Sequence, residues 1–131
     1  MTRRQLRERI FKMLFRVEFY ENEEIPEQLG AFLDDEEPIA EEDARYIEEK
    51  FLKIKELIPS MDEQINASVK GWKTTRMSKV DLAIIRLAYY EMKYDDDVPN
   101  PVAINEAVEL AKIFGTDESP AFINGVLAKL S

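Results

Sequence analysis

Neither cysteine nor histidine occurs among the 131 residues. Without cysteine there is no disulfide, no thiol nucleophile and no thiolate metal site. Without histidine the chain lacks the commonest general base and the commonest transition-metal ligand. Glycine is scarce, with four residues, and no segment sustains the apolar–polar alternation of a strand, so an all-α fold is the reading. No apolar run approaches the roughly 18 residues that a membrane span requires, and no signal-peptide core is present, which leads to the expectation of a soluble, cytoplasmic protein. A P-loop and a dinucleotide glycine motif are missing. The Asp95-Asp96-Asp97 run lacks the ligand spacing of a calcium loop. Glu106 and Glu109 share a helix face, but no partner residue accompanies them. The expectation is a protein that is not an enzyme and needs no cofactor or metal.

What is present is acid, unevenly placed. The net charge is −9, which taken alone argues against nucleic-acid binding. Yet Met1 to Arg16 carries Arg3, Arg4, Arg7, Arg9, Lys12 and Arg16 against Glu8, a local charge of +5. Glu18 to Glu63 holds seventeen acids against four bases. Lys70, Lys73, Arg76 and Lys79 then follow with no acid between Gln64 and Val80. Two basic islands on an acidic body describe a directed electrostatic surface.

A length of 131 residues fits one domain, 1–131, able to bury about two thirds of its unfolded surface. Apolar periodicity predicts seven helices. The first spans about Thr2 to Tyr20, with a stripe of Leu6, Ile10, Met13, Leu14 and Val17 flanked by Phe11, Phe15 and Phe19. The second opens at Glu23, Glu24 and Pro26 and carries Ile25, Leu29, Phe32 and Leu33. The run Asp34 to Pro38 reads as a loop. The third begins with Glu41, Glu42 and Asp43 at its positive end, buries Ala44, Ile47, Phe51, Ile54 and Ile58, and stops at Pro59. Ser60 and Glu63 form a capping box for the fourth, whose buried side is Met61, Ile65, Val69 and Trp72. Gly71 to Thr75 is a break. Ser78 and Asp81 cap the fifth, which is apolar on nearly every side (Val80, Ala83, Ile84 and Leu87; Leu82, Ile85, Tyr89 and Met92) and is therefore the central helix. Two small fused bundles result, helices one to three over about 2–59 and four to seven over about 60–130.

The last two helices frame a sharp corner. Asn100 as N-cap and Pro101 at the first helical position begin the sixth. Its buried face is Ala103, Ala107, Leu110, Ala111 and Phe114, and Gly115 is placed for a left-handed end. Ser119 and Pro120 begin the seventh, with Ile123, Val126, Leu127 and Leu130 inward. Phe122 stands beside that stripe and Asn124 follows it.

Three groups of polar residues are candidates for chemistry. On the first helix, arginine rather than lysine predominates, and arginine offers planar, bidentate contacts to phosphate. That favours RNA over a merely solvated face, with Arg3, Arg4, Arg7, Lys12 and Phe15 as candidates. Around the corner, Glu118, Ser119, Phe122 and Asn124 admit two readings. They are caps and core, or a splayed base and its phosphate received by an aromatic next to helix N–H groups. The group Lys70, Lys73, Arg76 and Lys79 fits a solubilised helix junction equally well. Arg86 and Glu91 read as structural ion-pair or backbone-bonding groups.

The segments INEAVELAKIFGTDES and FINGVL, together with Arg76-Met77-Ser78-Lys79-Val80-Asp81-Leu82-Ala83-Ile84-Ile85-Arg86-Leu87-Ala88 and Tyr90-Glu91, resemble the NusB family of bacterial transcription antitermination factors. The resemblance is strong over the C-terminal half and moderate over the first helix; from about Glu21 to Pro59 only the helical pattern matches. It implies two small helical bundles and a first helix that binds the single-stranded boxA leader element through positions matching Arg3, Arg4 and Arg7. It implies too that Glu118, Ser119, Phe122 and Asn124 line the RNA path. The 70–79 junction, with Lys73 and Arg76, would border RNA and a protein partner, and Lys79, Val80 and Asp81 would meet NusE, a ribosomal protein, within the RNA polymerase antitermination complex. Pro120 departs from the polar or basic residue usual in the family, so a side-chain hydrogen bond to RNA is lost there. Two rivals stay open: a protein–protein scaffold without RNA binding, and an RNA-binding fragment of an rRNA methyltransferase, which applies only if the chain is a piece of a longer one.

Overall fold

The computed structural model describes residues 1–35 and 39–131. Six α-helices occur among the described residues, and no strand: α1 Arg3–Val17, α2 Ile25–Asp35, α3 Glu41–Ser68, α4 Lys79–Tyr94, α5 Asn100–Phe114 and α6 Ser119–Leu130. Short 3-10 turns cover Asn22–Glu24 and Thr74–Arg76. The chain divides into two compact units, Met1–Lys55 and Glu56–Ser131. Of the expected loop at Asp34 to Pro38, Asp34 and Asp35 complete α2, whereas Glu36 to Pro38 lie outside the described residues.

In the first unit, Thr2 and Gln5 start α1 with a reciprocal capping box: the Thr2 hydroxyl accepts the Gln5 N–H at 3.1 Å, and Gln5 Oε1 accepts the Thr2 N–H at 2.8 Å. Ile10, Phe11, Met13, Leu14 and Val17 are buried. The helix ends at Val17, three residues before the expected Tyr20, because Glu18, Phe19 and Tyr20 switch to bonds from the third residue back. Ile25, Leu29 and Phe32 bury the inner side of α2.

The expected third and fourth helices are one. Pro59 stands inside α3, and Ser60 is no cap; its hydroxyl instead accepts from Gln64 Nε2 at 3.4 Å. Proline removes the bond to the Lys55 carbonyl, at a cost of about 3 kcal/mol in a helix interior. The buried positions Ile47, Phe51 and Ile54 before it, and Met61, Ile65 and Val69 after it, keep one helical period across the proline. Burial of about six large side chains, at 1.5–3 kcal/mol each, outweighs that loss.

In the second unit α4 is central: every residue from Leu82 to Glu91 is buried, and α5 and α6 pack on α4 and on each other. Ser78 caps α4 by accepting the Asp81 N–H at 3.1 Å. The Arg86 guanidinium, within the buried stretch, makes a two-pronged bond to Asp62, Nε to Oδ1 at 3.0 Å and Nη2 to Oδ2 at 2.6 Å. Tyr89 donates its hydroxyl to Gln64. The connector to α5 is an Asx turn, in which Asp95 Oδ1 accepts the Asp97 N–H at 3.0 Å. Pro99, not Asn100, caps α5: its carbonyl accepts from both Val102 and Ala103 at 3.0 Å. Asn100 is already helical and Pro101 stands in the first turn, where its missing N–H leaves no bond unmade.

Candidate nucleic-acid interface

Within the first unit, α1 separates its arginines. Arg3 and Arg4 are exposed, whereas Arg7, expected on the same face as Arg3, is only 8% exposed. Arg4, Arg7, Arg9, Lys12 and Arg16 each engage a neighbour within the structure. Lys12 also lies 3.7 Å from Glu8 one turn back. Phe15 is half-buried, and its ring meets Phe19 edge-on at 5.2 Å. The outer turn of α1 therefore offers Arg3 and Arg4 to solvent, while Arg7 belongs largely to packing.

Within the second unit the α5–α6 corner is built on close backbone approach. Gly115 does not take the expected left-handed conformation; its φ is −92° and its ψ −166°. Glycine is required for another reason: a Cβ there would lie 2.5 Å from Ser119 Cβ and Oγ and 2.9 Å from the Ala111 carbonyl. Ser119 is buried; its hydroxyl accepts the Thr116 N–H at 3.0 Å and sits 3.3 Å from the Thr116 hydroxyl. It is the first residue of α6, and Glu118 takes the N-cap position without a side-chain bond, so Ser119 shapes the turn from inside. Glu118 and Asn124 are exposed. Asn124 lines an open groove of about 670 Å³ between α5 and α6 together with Asn100, Asn105 and Pro120.

Phe122 is half-buried, while its neighbour Ile123 is fully buried, as their different angular positions require. Trp72 differs from its expected place in the core: it is 52% exposed. Its ring packs edge-on against Phe122, with centroids 5.1 Å apart and planes at 66°. The chain leaves helical geometry after Ser68 and reverses at Gly71, whose φ is +88°, so the spacing that put Trp72 behind Val69 no longer applies. Lys70, Lys73, Arg76 and Lys79 are all exposed. Lys129, not singled out by sequence, lines the cavity beside Trp72 and Phe122. At the start of α4, Val80 and Asp81 are half-buried, and Asp81 Oδ1 is buried without a hydrogen-bond partner among the described residues. No group of three residues able to hold a metal occurs among the described residues, and no helix there is long and apolar enough to cross a membrane.

These features define a small all-helical protein with arginine-bearing and aromatic–lysine surfaces. The chain belongs to the NusB family, whose model matches residues 4–131. It is 54% identical over 131 residues to the transcription antitermination protein NusB of Agathobacter rectalis, covering the whole of both chains. It is 49% identical to that of Lachnoclostridium phytofermentans, over 99% of this chain and 98% of the relative. The solved structure of T. maritima NusB superimposes with a TM-score of 0.85 at 34% identity, over 99% of this chain and 90% of that one.

Proposed function

We propose that this chain acts in the cytoplasm as a transcription antitermination factor. In this reading it is a single RNA-binding domain that recognises boxA-like single-stranded RNA together with NusE, within the RNA polymerase antitermination complex, and promotes read-through, mainly of rRNA operons. The role is one of binding, not catalysis. The observation that carries the reading is charge segregation: a chain of net −9 concentrates +5 on residues 1–16 and exposes Arg3 and Arg4 at the outer turn of α1. Arg7, Lys12 and Phe15 support that surface from within α1. In the second unit Lys73, Arg76, Glu118, Phe122 and Asn124 contribute side chains to RNA recognition, and Ser119 contributes the turn. Lys79, Val80 and Asp81, at the start of α4, form the NusE contact. Affinity for RNA alone is modest, because one small basic face releases few counterions.

Titration of labelled boxA-type RNA, with and without NusE, tests the proposal. Arg3→Ala combined with Arg4→Ala should weaken binding and lower the salt slope by about 0.7 for each phosphate that is no longer neutralised. Thermal stability should stay within about 0.5 kcal/mol, because both side chains are exposed. An unaltered affinity and slope would overturn the assignment to α1. Phe122→Ala should weaken RNA binding by about 1–3 kcal/mol. Ile123→Ala, by contrast, should cost roughly 2–5 kcal/mol of stability through its cavity. Comparing melting temperature and RNA affinity for both variants separates platform from core.

A further inference from the structure

Trp72 is more than half exposed, yet the loop that carries it is firmly anchored. Thr74 is buried; its N–H donates to Asn66 Oδ1 at 2.8 Å, and its hydroxyl oxygen accepts from Asn66 Nδ2 at 3.3 Å. Val69 and Met77, on either side, are buried as well, and Gly71 supplies the one positive φ that the reversal needs. The indole is thus presented to solvent by a fixed loop. Its edge-on meeting with Phe122 makes two aromatic walls of a notch of about 220 Å³, floored by Val69, Gly125 and Val126 and bordered by Lys129. Lys70 and Lys73 flank the tryptophan in sequence, and no acid lies between Gln64 and Val80.

Large aromatic surface held in water is useful chiefly as a platform. An apolar side chain of a protein partner would be served by the notch alone. Lys129 at its border, with the exposed Lys70 and Lys73 flanking Trp72 in sequence, matches a ligand that carries a flat π-face and negative charge together, which is an unpaired nucleotide. We propose that the Trp72–Phe122 notch receives one unpaired nucleobase of a single-stranded RNA, stacked on the indole, with Lys73 and Lys129 neutralising the flanking phosphates. The assignment rests on the RNA-binding reading and adds to it a residue and a base-sized site.

Trp72 is the only tryptophan, so its emission reports on this site alone. The full chain is titrated with a short unstructured single-stranded RNA while both indole emission and the anisotropy of a label on the RNA are followed. Emission should be quenched and shielded from acrylamide along the same isotherm as the anisotropy. Trp72→Ala and Trp72→Leu should each weaken binding about tenfold, as expected when one stacking side chain is removed, with unchanged helical circular dichroism and melting. Trp72→Phe should retain most of the affinity. If RNA binds by anisotropy while the emission stays constant and Trp72→Ala binds as tightly as the parent, the notch is not a base site, although RNA binding stands. Full affinity in Trp72→Leu but not in Trp72→Ala overturns stacking in favour of simple apolar contact. Absence of any RNA binding by the parent removes both this assignment and the function on which it rests.

Discussion

Asp62→Ala should lower folding stability by about 3 kcal/mol, the lower end of the range for breaking a buried ion pair, or roughly 10 °C in melting temperature. Arg86 sits in the buried stretch of α4, and its guanidinium is held at two points by Asp62. Burial pushes the Asp62 carboxyl up to about 6 and the Arg86 guanidinium down to about 10. The bond between them pulls each the other way. Arg86 therefore remains protonated at neutral pH and cannot shed its charge when the carboxylate is removed. The cost of the variant is mostly that of a buried guanidinium losing the carboxylate that holds it at two points. Replacing both partners with apolar residues of similar volume, Asp62→Leu with Arg86→Met, should recover most of the loss. Urea melts of the single and double variants check the sign. A double variant as unstable as the single one would show that the pair's worth lies in geometry that apolar packing cannot replace.

Ile84→Ala should cost roughly 2–5 kcal/mol, and Ile84→Val about 0.5–1.5 kcal/mol. Ile84 has no exposed surface, and its α4 neighbours from Leu82 to Glu91 are buried on every side. Since α5 and α6 both pack on α4, a void at its centre has walls from more than one helix and little freedom to collapse. Chemical denaturation should show a lower midpoint at constant slope. A loss under about 0.5 kcal/mol would place Ile84 at a surface.

The helices of the second unit are legible because their apolar residues recur with strict helical spacing. The inward stripe Ile123, Val126, Leu127 and Leu130 is buried as that spacing requires, as is α4 from Leu82 to Glu91. Pro59 misleads because a local rule, that proline ends helices, competes with a longer one, that an unbroken apolar period continues them; in α3 the longer rule prevails. Trp72 misleads for the converse reason: the apolar period does not survive the point where Gly71 turns the chain. The arginines of α1 are recognisable as a basic face, but helical spacing alone does not tell which of them turn outward: Arg7 is buried and Arg3, four residues before it, is exposed. Ser119 is the right residue type for a cap, yet its hydroxyl serves the preceding turn. In these cases composition decides the chemistry available, and tertiary packing decides which atoms reach solvent.

The first turn of α1 contains Arg3 and Arg4 and no acid. The amide dipoles of a helix leave about half a positive charge at that end, so cations there are disfavoured by a few tenths of a kcal/mol each. Thr2 and Gln5 satisfy the amides as hydrogen-bond donors but bring no negative charge. The first turn thus keeps two exposed arginines beside the positive end of the helix dipole, at the place where a polyanion is proposed to land. A phosphate arriving there would meet both side chains and the dipole together, so that one anion is served by two sources of positive charge.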